Sequence, residues 1–405
     1  MEPYVLYGMP ASLYTAKARS YLRKQRIDYV ERAAGDPRYL SEVMPLIGRW
    51  IIPVLQTPAG ELIQDTVDII DHFEAETPPE RCAYPTTPVH RCVAHVLELF
   101  GGEGLLRPAM HYRWDFDETN LAFLSRDFGL ALAPSGDEDE RARVFAGASE
   151  RMRRATGSVG VTDESATAIE RSYERFLDLL DAHLATAPYL LGGRPTIGDF
   201  AFIAPLYAHL ARDPYPSLLM KRRATRVWRW VERMNAPVND AGEFPGYEQA
   251  LFADDTIPET LRALLGYIGE EFVPELLAQV AFIDRWLDEH EDELNEGDVV
   301  GGAPHRRRLG LVTVGLHGRQ VEIGVVPYRL FVLQRLQAAF AECEPDAQAA
   351  VRELMRESRL DALLDARARR RVERRENREV WGARQEPAAG RAYRRAGADA
   401  AEKDA

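Results

Sequence analysis

Lysine is almost missing from this chain: of 51 basic residues among 405, only Lys17, Lys24, Lys221 and Lys403 are lysine. A skew this strong toward arginine reads as the codon bias of a GC-rich genome and assigns no function. Cysteine is scarce as well. Cys82, Cys92 and Cys343 are far apart in the sequence and form no CxxC, which argues against a disulfide framework and for a reducing compartment. A basic balance is also missing: the net charge of −13 speaks against nucleic acid as the main partner, because phosphate binding needs a basic face. The longest apolar run, near 201–211, is far short of the ~20 residues that span a bilayer, so no membrane partner is expected. The chain opens without a basic-then-apolar signal region, and a cytoplasmic location is expected. No internal repeat is seen.

What is present is globular composition, with 46% hydrophobic and 28% charged residues, over a length that calls for two or three domains. Residues 1–78 read as strand, helix, strand, helix, hairpin, helix, a compact α/β unit of thioredoxin type. Within it, RWIIPVLQTPAGELIQDT (49–66) sets proline at the mouth of an apolar strand, follows it with the turn Thr57-Pro58-Ala59-Gly60, and ends where Thr66 is expected to cap a helix. After a proline-rich linker, 88–235 is helical throughout, with Thr196 and Asp199 spaced as N-cap and N3 of a capping box. Residues 247–365 read as a further, mostly helical domain with a β-hairpin near 308–326. From 366 to 395 eleven arginines face four glutamates, and 366–405 is expected to be a solvated, disordered basic tail.

Candidate chemistry is sparse outside the first domain. His90, Cys92 and His95 are offset by two and five, which does not place them on one helix face, so no metal site is expected. Gly101-Gly102-Glu103-Gly104 lacks the lysine and the strand of a phosphate loop.

The first 235 residues resemble the glutathione transferase superfamily. Ile52-Pro53-Val54 matches that family's strand entry, Asp65-Thr66 its polar pair at a helix start, and Thr196-Ile197-Gly198-Asp199 its helical-domain capping box. The resemblance implies a cis proline at Pro53, whose preceding residue Ile52 offers its backbone to the cysteinyl part of glutathione, the co-substrate. It implies that Asp65 and Thr66 hold the γ-glutamyl part, where a helix N-terminus favours a carboxylate. A free thiol ionises near ~8.5, so the reaction needs a group that stabilises the thiolate. Alignment with serine-type members brings Ser12 onto that role, with Tyr7, near the tyrosine-type position, as the second candidate; an inert site stays open. Arg49 stands in for a lysine that many members use on the glycyl carboxylate, with a plain surface arginine as the alternative. Residues 110–114 (MHYRW) fall where the family lines its electrophile pocket, or else belong to the core. The activity implied is attack of glutathione on a small apolar electrophile; the alternative is a non-catalytic glutathione-binding or interaction scaffold. A homodimer is expected by the same resemblance, set against a monomer if the extension beyond residue 235, of a kind some bacterial members carry, covers the interface.

Overall fold

The computed structural model describes residues 3–239 and 241–385. The first unit runs β1 (Tyr4–Gly8), α1 (Leu13–Lys24), β2 (Tyr29–Ala33), α2 (Met44–Ile47), β3 (Val54–Gln56), β4 (Leu62–Gln64) and α3 (Thr66–Glu74). Its four strands are ordered β2-β1-β3-β4, with β1 parallel to β2 and antiparallel to β3, which leaves β4 on an edge. Alternate residues of β1 face opposite ways, as a strand requires. Leu6 packs with Tyr21, Leu22, Ile69 and Ile70 of α1 and α3, while Tyr7 packs with Tyr39 and Val43 on the other face. This is a thioredoxin-like α/β domain.

An all-helical unit follows: α4 (Pro88–Leu99), α5 (Leu106–Trp114), α6 (Asp117–Leu132), α7 (Glu138–Thr156), α8 (Ala166–His183), α9 (Ile197–Pro205), α10 (Pro214–Arg223) and α11 (Thr225–Asn235). The Thr196–Asp199 capping box opens α9, the most enclosed helix, all of whose residues are buried. The two units are clamped by Arg113 of α5, which donates to the Ala11 carbonyl at 2.8 Å, and by Lys17 of α1, which pairs with Glu98 of α4 at 2.9 Å. Trp114 and the rest of 111–114 are buried, so that stretch is core.

Lys24 makes a further seam. Only 6% exposed, its ammonium donates to the Val238 carbonyl at 2.6 Å and the Tyr189 hydroxyl at 3.0 Å. Burial, aided by the Arg233 charge, depresses its pKa to about 7. Unfolded lysine keeps its proton to ~10.5, so between about 7 and 10.5 the unfolded chain binds more protons and stability rises with pH. Chemical denaturation from pH 7 to 9 should show Lys24→Met lacking a slope of up to about 1.4 kcal/mol per pH unit that the native chain has.

Beyond residue 247 come α12 (Glu259–Glu271), α13 (Val273–Glu289), β5 (Gly310–Leu316), β6 (Arg319–Val325), α14 (Tyr328–Ala341), α15 (Pro345–Glu357), α16 (Ala362–Asp365), β7 (Arg370–Arg375) and β8 (Arg378–Arg384). The apolar stripe Leu261, Leu264, Leu265, Ile268 and Phe272 is buried in one core with α8 and α9, so α12 docks on its own chain. On α14, Arg335 grips both carboxylate oxygens of Asp71 on α3 at 2.8 and 2.9 Å and reaches the Tyr84 hydroxyl at 2.7 Å.

Residues 370–384 correct the expectation of a disordered basic tail, for they form an antiparallel hairpin turned by Glu376 and Asn377, both at positive φ. Two effects order it. Val372, Val380 and Trp381 are buried, and the arginines find carboxylates from elsewhere: Arg369 pairs with Asp284, Arg370 and Arg384 with Glu291, Arg375 with Glu296, and Arg374 with Asp68. Most of those acids come from the acidic end of α13 and the loop after it. The remainder of the expected tail, 386–405, lies outside the described residues.

Candidate functional site

The β3 entry turns on a cis Ile52–Pro53 bond. Ile52 lies just ahead of the ladder, which begins at Val54, and among the described residues its N–H and C=O have no hydrogen-bond partner. Ile51 is held instead, its N–H and C=O both engaged by the Tyr39 hydroxyl. Close by, Ser12 is the N-cap of α1, half-buried, with its oxygen accepting from the Thr15 N–H at 3.3 Å. A strand-like edge at Ile52 and a hydroxyl at a helix N-terminus are thus both set in the first domain.

Asp65, not Thr66, is the N-cap of α3: its Oδ1 accepts from the Val67 N–H at 2.9 Å, and Thr66 is the first helical residue, 1% exposed. Asp65 sits at φ 93°, a strained conformation for a residue with a side chain, held by what surrounds it. The surroundings come from the C-terminal region. The Tyr328 hydroxyl, at the first position of α14, donates to Asp65 Oδ1 at 2.7 Å. Burial would raise the Asp65 carboxyl, but the Arg374 charge, the Tyr328 hydroxyl and the Val67 N–H outweigh it and hold the pKa below the ordinary carboxylate value. The residue is 8% exposed.

Edge strand β4 is met in the same way. Asn377, at the tip of the β7–β8 hairpin, accepts from the Gln64 N–H at 2.8 Å and donates to the Leu62 carbonyl at 3.1 Å, so one side-chain amide pairs with β4 as a strand would. Arg374 donates to the Gln64 carbonyl at 2.6 Å and to Asp68 at 2.7 Å. Arg49 is buried, bound to the Pro304 carbonyl at 2.7 Å, to Gln64 at 3.0 Å and to Glu379 at 3.3 Å. An arginine that was expected to meet a ligand carboxylate therefore has one already, from β8. Tyr14, in the first turn of α1, is pushed above its usual range by Glu103 and then by burial.

Of the seven residues singled out in the sequence, the structure gathers Ile52, Pro53, Asp65, Thr66 and Arg49 around β3, β4 and the start of α3, with Ser12 across the β1–α1 loop. Tyr7 is buried in the same cluster as Ala11, Tyr39, Ile52 and Val54; its hydroxyl donates to Gln56 at 3.3 Å, and burial raises its pKa, so it stays neutral. Tyr328, Arg374, Asn377 and Glu379 were not anticipated at all. Among the described residues no group of His, Cys, Asp and Glu is arranged to hold a metal ion. Two clefts lie away from these residues, one of about 560 Å³ by Thr87, His90 and Asp255 and one of about 430 Å³ by Tyr207 and Trp228.

Residues 6–81 match the family model described as glutathione S-transferase, N-terminal domain, and residues 163–233 the one described as glutathione S-transferase, C-terminal domain. No curated protein matches the chain. Similar solved structures include the beta-etherase LigF from Sphingobium sp. strain SYK-6, 16% identical with a TM-score of 0.41, covering 58% of this chain and 96% of that one. Glutathione transferase GSTFuA3 from Phanerochaete chrysosporium is 18% identical with a TM-score of 0.41, over 59% of this chain and 98% of its own. A glutathione S-transferase from Methylobacterium radiotolerans, in complex with glutathione sulfonate, is 18% identical with a TM-score of 0.34, over 64% and 99%.

Proposed function

Because this chain belongs to the glutathione transferase superfamily through residues 6–81 and 163–233, we propose that it is a transferase-fold protein whose glutathione site is closed by its own C-terminal extension, and that in this closed state it does not conjugate. The observation that carries this reading is the Tyr328 hydroxyl on Asp65 at 2.7 Å, backed by Asn377 on β4 and Glu379 on Arg49. The γ-glutamyl amino group would need Asp65, and the glycyl carboxylate would need Arg49. Both are already paired within the chain, so a ligand must displace three protein contacts to make its own. The test is turnover of reduced glutathione with a small aryl halide. Full-length protein should give no rate above buffer, whereas a rate typical of enzymes, ~1 s⁻¹ or more, would overturn the reading.

One observation favours a second reading, that of a working transferase once the extension moves. Ile52 keeps both backbone groups unpaired and Ser12 stays half-exposed, so the cysteinyl end of the site is intact although the γ-glutamyl end is filled. On this reading the triple variant Tyr328→Phe/Arg374→Ala/Asn377→Ala conjugates, with Ser12 stabilising the thiolate, and adding Ser12→Ala removes the activity.

Assembly follows the same logic. Extension residues cover α3 through Arg335 and Arg374 and cover α4 through Glu342, which pairs with Arg91 at 2.8 Å. A two-fold mate has no bare face there. Light scattering should therefore give one chain mass, 45.7 kDa; twice that value would show a dimer built on another surface.

A further inference from the structure

Two of the three cysteines meet across the seam between the extension and the helical domain. Cys92 lies on α4 and is fully buried; Cys343, two residues past the end of α14, is partly buried and packs on the same core. The two helices that flank Cys343, α14 and α15, both pack on α4, and the Cys343 thiol donates to the Ala339 carbonyl at 3.2 Å. The preceding residues fix the same register: Arg91 and Glu342 form an ion pair at 2.8 Å. Two side chains adjacent to the two cysteines thus hold the backbones together independently of the sulfurs. Neither thiol is among the residues gathered around β3, β4 and the start of α3.

We propose that Cys92 and Cys343 are a reversible dithiol–disulfide pair that fastens the extension to α4. Only Cys343 is reachable from solvent, so it reacts first, with a low-molecular-weight disulfide such as glutathione disulfide as the oxidant. The Cys343 thiolate attacks one sulfur, forming a mixed disulfide and releasing one glutathione thiolate. Cys92 then attacks Cys343 Sγ, its proton passing to the departing glutathione sulfur, which forms the protein disulfide and releases the second glutathione as its thiol. Two protein thiols are oxidised and one glutathione disulfide is reduced to two thiols. Burial raises the Cys92 pKa, which makes the second step the slow one and protects the reduced pair from casual oxidation. The bond would join residues far apart in sequence and so restrict the unfolded chain strongly. Its consequence for ligand entry rests on the reading that the extension closes the glutathione site: an oxidised chain stays shut, and a reduced one is free to open.

The experiment is peptide mapping of full-length protein after incubation with glutathione disulfide, without reductant, with free thiols alkylated. The expected result is a linked pair of peptides carrying Cys92 and Cys343, lighter by two hydrogens, with Cys82 still free and Tm raised by about 5 °C. Cys92→Ser should stop at the Cys343–glutathione mixed disulfide and show no Tm gain. The proposal is overturned if native protein also stops at that mixed disulfide, or if the linked peptide involves Cys82. The mass measurement reads the staple alone. Failure of the closed-site reading would appear instead as glutathione binding that is the same before and after oxidation, with the linked peptide present.

Discussion

Replacing Asp199 with alanine is expected to cost about 3–5 kcal/mol of stability, since it strips a fully buried acceptor from several donors at once. One carboxylate oxygen accepts from the Leu190 N–H at 3.0 Å and the Trp230 indole at 3.3 Å; the other accepts from the Thr196 N–H at 2.9 Å and its hydroxyl at 3.1 Å. These donors sit on the turn before α9, at its N-cap and on α11, so the loss falls on the centre of the helical unit. Burial holds the Asp199 pKa up at about 6 despite those bonds. Asp199→Asn should recover part of the loss, because the amide keeps one acceptor while its NH₂ faces donors. Urea denaturation of the three proteins measures this; a loss under ~1 kcal/mol for alanine would mean that the capping box is dispensable here.

Arg113→Met should be nearly as severe. Arg113 is 1% exposed and Asp213 fully buried; they pair at 2.7 and 3.0 Å, and the guanidinium also donates to the Ala11 and Ala208 carbonyls. Removing one partner of a buried pair strands the other charge, a cost of about 3–5 kcal/mol. Replacing both, as Arg113→Met/Asp213→Leu, should cost less than the single change, because no charge is left alone. The same variants loosen the segment before Ser12, so hydrogen exchange near Met9–Ser12 should quicken in both. Equal stability of the single and double variants would show that Asp213 finds another partner.

Much of the first 235 residues could be read from local spacing. Ile52-Pro53, Asp65-Thr66 and Thr196 to Asp199 are short motifs whose chemistry is decided within a few residues, and the fold they imply is the one found. Tyr7 shows where spacing is too coarse: it cannot say which hydroxyl is free, and in the fold Tyr7 is fully buried beside Ile52 with Gln56 as its partner, while Ser12 is half-buried. The contacts that the C-terminal region makes around Asp65 and β4 were not legible. Arg374 reaches Asp68 across 306 positions and Tyr328 reaches Asp65 across 263, distances no window of sequence spans. Read locally, eleven arginines look solvated; in the fold Arg369, Arg370, Arg375 and Arg384 meet the acids of 284–296. One local signal was available. Asn377 between two alternating runs, with Val372 on one side and Val380-Trp381 on the other, has the form of a hairpin turn.

Whether the extension closes the proposed glutathione site is read by calorimetric titration of reduced glutathione. Full-length protein and the variant Tyr328→Phe/Arg374→Ala/Asn377→Ala are compared under reducing conditions, with circular dichroism to show that both are folded. Each change removes a hydrogen bond that the closed state makes and the open state does not, so the balance shifts toward opening. Binding is expected to be at least ~10-fold tighter in the variant than in the native chain. Equal affinity in the two, above all at micromolar strength in the native chain, would contradict it.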